Sequence, residues 1–145
     1  MERYNLGLDF KGKTTYNNIP YLKIKIKGVN VEKLNIENPE FWKDGFEAIL
    51  DTGASKLHVT PNFAKTLKLK PIGEDFGVYP LKDGVSKTKI YSIDFYINGI
   101  EGMFTEEFIE LPYEFQFPII LGTEFFSKCK SLNIDFVNNN YSLKL

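Results

Sequence analysis

Residues 47–55 read EAILDTGAS, a short apolar run that leads into a carboxylate, a hydroxyl and a glycine. Ala48, Ile49 and Leu50 are apolar at successive positions, as in a strand buried on both faces. Taken alone, Asp51-Thr52-Gly53 is a strand-terminating turn, with Asp bonding a nearby amide and Gly supplying an unusual backbone angle. The flanks sharpen that reading. Ala54 and Ser55 are small and permit close backbone approach. A buried strand that delivers a carboxylate into a crowded turn implies a perturbed ionisable group, and such groups gather at functional sites. A second apolar run ending in glycine comes late, FPIILG at 117–122, followed at once by TEFF.

Working outward, most of the chain alternates at period two. YLKIKIKGV (21–29), KIYSIDFYI (89–97), SLNIDF (131–136) and YSLKL (141–145) read as strands rich in β-branched and aromatic residues. The lysines of the first are the solvated face of a strand. Asn98-Gly99, Lys82-Asp83-Gly84 and the run Asn138–Asn140 mark hairpin turns. Two short stretches are helical. Thr60 followed by Pro61 is an N-cap and first-turn pair for PNFAKTLKL, and TEFFSKCK follows Gly122. The spacing predicts a mostly β barrel or sandwich with one or two short helices. Residues 31–45, with Phe41 and Trp42, fit no regular element and are expected as a packed surface loop or part of a binding edge.

Composition bounds the function. The chain has 145 residues, enough for one domain with one core, and 18 basic side chains balance 19 acidic ones. That balance gives no reason to expect nucleic acid or an anionic membrane as a partner. Cys129 is the only cysteine, so an intrachain disulfide is excluded; it is expected as a small buried filler in a reducing, cytoplasmic setting. No run has the length of a signal peptide core or a membrane helix. His58 is the only histidine; with no paired nucleophile or second imidazole it is expected on a strand or turn surface, and no metal or other cofactor is expected.

Paired in this order, AILDTGAS and the later IILG with its short helix make the sequence similar to the retropepsin-like aspartic proteases, from about Tyr21 to the C-terminus. DTGASKLHVTPNFAKTLKL also resembles the family's passage from loop to helix. The resemblance implies a single closed β-barrel-like acid-protease domain over 1–145, with residues 1–20 as an N-terminal extension or interface strand. It implies that Asp51 is catalytic and that Thr52 and Gly53 support the loop. Gly53, Ala54, Ser55 and Gly84 would meet a peptide or protein substrate, and Ile120, Leu121 and Gly122 would form the floor. The hairpin from Tyr79 to Thr88 corresponds in order to the flap, a mobile cover for extended peptides. Peptide hydrolysis by carboxylates needs two of them sharing a proton. With one Asp-Thr-Gly per chain, the resemblance therefore implies a homodimer.

The sequence also departs from the family. Ala54 stands where pepsin-like members carry a Ser that bonds the carboxylate, which implies a milder pH optimum than pepsin's. Viral members carry an Arg after the late glycine where this chain has Thr123 and Glu124, so an ionic tie between protomers is missing. They often carry a second Asp where Ser55 stands. One alternative is a catalytically silent peptide-binding module of the same fold. A phosphate-binding turn of the actin-like kind is the other, and it needs two large domains that 145 residues do not supply.

Overall fold

The structure, a computed structural model, describes residues 3–15 and 17–145; Met1, Glu2 and Tyr16 of the 1–20 segment lie outside the described residues. Ten strands and two short helices follow in the order β1 (Asp9–Lys13), β2 (Tyr21–Ile26), β3 (Phe46–Leu50), β4 (His58–Val59), α1 (Pro61–Thr66), β5 (Gly73–Val78), β6 (Val85–Ile97), β7 (Phe104–Glu110), β8 (Ile119–Leu121), α2 (Thr123–Phe126), β9 (Ser131–Asp135) and β10 (Asn140–Lys144). The larger sheet runs β2-β3-β8-β4-β7-β6-β5, and β2 pairs with β6 as well as β3. The ladder thus returns to its first strand, which gives the barrel-like architecture and leaves β5 outside the ring.

Alternation decides which way each strand faces. In β2, Leu22, Ile24 and Ile26 are buried while Lys23 and Lys25 reach outward. Long β6 does two jobs. Tyr91, Ile93, Phe95 and Ile97 point into the core, whereas its first five residues pair only with β5 and project as a hairpin. Phe95 stacks on Phe104 at 5.5 Å and meets Phe108 edge-on at 5.7 Å. Each such fully buried side chain contributes about 1.5–3 kcal/mol.

The chain ends form a second sheet, β1-β10-β9, in which Phe10 faces Leu143 and Tyr141 faces Ile134. The N-terminal segment, expected as an extension or interface strand, thus pairs with the C-terminal strand inside one chain. Tyr141 donates its hydroxyl to the Tyr21 carbonyl at 2.6 Å, joining this sheet to the start of β2. Gly12 makes room for that ring, since a Cβ there would lie 2.5 Å from it. A buried carboxylate fixes the other end of the segment. Glu106 accepts from Tyr4 Oη at 3.0 Å and from Lys128 Nζ, so both its burial and its charge are compensated.

Residues 31–45 hold two 3-10 turns, Val31–Lys33 and Pro39–Trp42, packed against the core through Val31, Leu34 and Trp42. The packed-loop expectation agrees with this. Among the described residues no helix is long and apolar enough to cross a membrane.

Candidate active site

Strands β3 and β8 are parallel neighbours, with Leu50 opposite Leu121. Parallel strands finish at the same end, so Asp51 and Gly122 leave the sheet side by side. The Asp51 amide donates to the Leu121 carbonyl at 2.9 Å. From Asp51 the chain crosses the end of β8 and returns as β4 on its far edge, where His58 pairs with Ile120. The loop is locked onto the start of α2: Thr123 N–H donates to Ala54 O at 2.8 Å and Glu124 N–H to Ser55 O at 2.9 Å.

Gly122 is required by space. A Cβ there would lie 2.3 Å from the Lys56 carbonyl oxygen and 2.5 Å from that of Ala54, both backbone atoms. Its φ of −95° is ordinary, so close approach and not conformation demands the glycine. Gly53 differs from the unusual-angle reading in the same way, because it is not among the glycines at positive φ. Its amide donates to Asp51 Oδ1 at 2.8 Å, and a Cβ would come within 3.2 Å of that oxygen. The Asp51 carboxylate is thus oriented by its own loop and half-buried, while Thr52, Gly53 and Ser55 are exposed and Ala54 is half-buried.

A cleft of about 500 Å³ opens over Asp51, and Gly53, Ala54, Ser55 and Ile120 line it. Ile120 reaches it from β8 and packs with Ile49 and Leu111, whereas Leu121 points into the main core. The roof is the β5–β6 hairpin. Its first strand, Gly73–Val78, escaped the sequence reading, which began the hairpin at Tyr79. Gly84, at φ +70°, sits in the tip, and its open surroundings show that it serves the turn. It does not line the cleft, so the hairpin meets the cleft instead through Asp75 to Leu81.

Contacts between roof and loop were not readable from sequence spacing. Lys56 Nζ lies 3.7 Å from Asp75 Oδ1, tying the loop to the hairpin. Tyr79 turns inward, edge-on to His58 at 5.9 Å and to Tyr113 at 6.3 Å. His58 is therefore a correction: it lies on a strand as expected, but is buried beside the cleft and not on the surface. Its Nδ1 donates to the Ile109 carbonyl at 3.2 Å. Burial, ahead of the neighbouring Lys56, pushes its pKa below 6.5 against the opposing pull of that carbonyl. A neutral ring fits an aromatic contact. Cys129 is buried as expected, and desolvation pushes its thiol up to about 12.

The resemblance read from the sequence meets its comparison here. No family model and no curated protein matches the sequence. Among solved structures, a retropepsin-like aspartic protease from Rickettsia conorii superposes with a TM-score of 0.63 at 15% identity, over 93% of this chain and 89% of that one. The retroviral protease-like domain of Ddi1 from Leishmania major covers 87% of this chain and 92% of its own, with a TM-score of 0.48 at 14% identity. The fold is retropepsin-like.

Proposed function

We propose that the chain is an aspartic endopeptidase that works as a homodimer, with one Asp51 from each protomer. The observation that carries this reading is the seating of Asp51. Its strand ends beside Gly122, its loop is bonded to α2, and its carboxylate opens onto a cleft roofed by a hairpin.

The chemistry follows from what one carboxylate lacks. Two carboxyl groups about 3 Å apart cannot both ionise, so a pair holds one proton between them. The ionised member takes a proton from a bound water as that water attacks the scissile carbonyl carbon. The protonated member donates to the carbonyl oxygen as it gains charge. Collapse of the tetrahedral adduct, with proton transfer to the nitrogen, then releases the amine. Thr52, exposed in the single chain, would brace the partner's loop, and Gly53 would accept the substrate backbone at close range. The apolar walls from Ile120, Leu111 and Tyr79 would seat substrate side chains.

The test is incubation of the wild type and of Asp51→Asn with a mixed peptide library from about pH 3 to pH 8, with cuts read by mass spectrometry. The wild type should cleave, with a rate that climbs faster than linearly with protein concentration. The variant should lose at least about 100-fold. A dimer that binds peptides and cuts none would replace this reading with the silent binding module.

A further inference from the structure

We propose a second peptide-binding groove, adjoining the Asp51 cleft at Phe115, that holds a segment of the same polypeptide substrate through apolar side chains flanked by lysine or arginine. The identity of the occupant rests on the peptidase reading above; the groove itself does not.

The groove measures about 590 Å³, against about 500 Å³ for the cleft. Its walls come from the 3-10 turn that carries Phe41 and Trp42, from Phe63 of α1, and from the connection ahead of β8. Phe115 of that connection lines the groove and the Asp51 cleft alike. A polypeptide leaving the cleft past Phe115 would reach the groove next. This adjacency is what favours substrate over an unrelated partner.

The lining is preorganised for side chains. Phe41 meets Trp42 edge-on at 4.7 Å, Trp42 lies 5.6 Å from Phe46, and Phe46 meets Phe63 edge-on at 4.9 Å. Phe46 and Phe63 are each 5% exposed and anchor this series in the core, while Phe41 at its outer end is 56% exposed. Trp42 is thus held from below and open from the side. Rigid aromatic surface of this kind binds at low entropic cost.

Charge sets the flanks. Glu37 and Glu114 line the groove, and no lysine or arginine does. Glu114 is fixed, since its Oε2 accepts from the Asn62 amide at 2.9 Å. Lys23 touches Phe41 from outside the lining, 5.3 Å from the ring centroid. A basic peptide is favoured by these carboxylates, and an acidic one is repelled.

Trp42 is the only tryptophan of the chain, so its emission reports on this groove. The measurement is a titration of the Asp51→Asn protein with a blocked octapeptide of alternating lysine and leucine, and with its glutamate–leucine counterpart. Saturable change in Trp42 emission is expected with the first, with affinity at least about tenfold tighter than for the second. Glu37→Lys combined with Phe41→Ala, both exposed positions, should weaken the first by about tenfold or more with an unchanged circular dichroism spectrum. A silent Trp42, equal response to both peptides, or full binding by the double variant overturns the groove. Cleavage of peptides by the wild type alongside a silent Trp42 would sink only the groove. A responsive Trp42 without cleavage would sink the peptidase and the assignment of the occupant as substrate, and leave the groove.

Discussion

Replacing Gly122 with alanine tests the packing on which the site depends. The added Cβ would lie 2.3 Å from the Lys56 carbonyl oxygen and 2.5 Å from that of Ala54. Neither is the end of a flexible side chain, so the loop or the start of α2 must move. Overpacking of this kind costs about 1–3 kcal/mol. The movement also strains the Thr123–Ala54 and Glu124–Ser55 hydrogen bonds, each worth about 0.5–1.5 kcal/mol. The sum is about 2–6 kcal/mol, or a fall in Tm of roughly 5–25 °C for a chain of this length. Urea unfolding monitored by circular dichroism measures it, with the midpoint lowered and the slope unchanged. Gly53→Ala is the control. Its Cβ would meet only Asp51 Oδ1, at 3.2 Å, and a side-chain oxygen can rotate away. That variant should lose less than about 1 kcal/mol of stability. A Gly122→Ala loss below about 0.5 kcal/mol, or one equal to the control, would refute the claim that backbone proximity dictates this glycine.

Two further predictions concern buried titratable groups. For His58, burial lowers the folded pKa below 6.5. The unfolded chain then binds more protons in the window just below 6.5, so stability falls as pH drops through that window and levels off beneath the folded value. His58→Gln, whose amide can still donate to the Ile109 carbonyl, should show a smaller fall in Tm between about pH 7 and pH 5 than the wild type; equal falls would exclude His58 as the cause. For Cys129, a thiol pushed up to about 12 and buried just past the end of α2 should resist an aromatic disulfide reagent in the native protein and react fully in denaturant. Rapid labelling of the native protein would show that the helix end opens.

What the sequence made legible is what local chemistry alone dictates. Thr60 caps α1, its Oγ1 accepting from the Phe63 amide at 3.3 Å, and Pro61 opens the helix as its missing amide allows. Asn98-Gly99 turns β6 into β7, and Asn138–Asn140 helps turn β9 into β10. Ala48 to Leu50 is apolar throughout because β3 is covered on both faces, and Ile119 to Leu121 follows for the same reason. Such features carry their cause within a few residues.

Strand β5 shows where that legibility stops. Glu74, Phe76 and Val78 are exposed and Asp75 and Gly77 half-buried, so the apolar side chains point outward, because the hairpin stands away from the barrel and has no core face to fill. A strand defined only by its partner β6 leaves no period-two signature. His58 failed for the opposite reason. Strand β4 has two residues, paired to β7 on one side and to β8 on the other, and Tyr79 covers it from a hairpin 21 positions later. Nothing adjacent to His58 records that cover. The same holds for the cleft, where Asp51 and Gly53 announced themselves but Lys56, Asp75, Tyr113 and Phe115 came from three separate segments. A motif marks where reacting atoms are held, since their geometry is set by one loop. The walls that choose among substrates are assembled by topology, and so Phe115, shared between cleft and groove, acquires its meaning only once the sheet is closed.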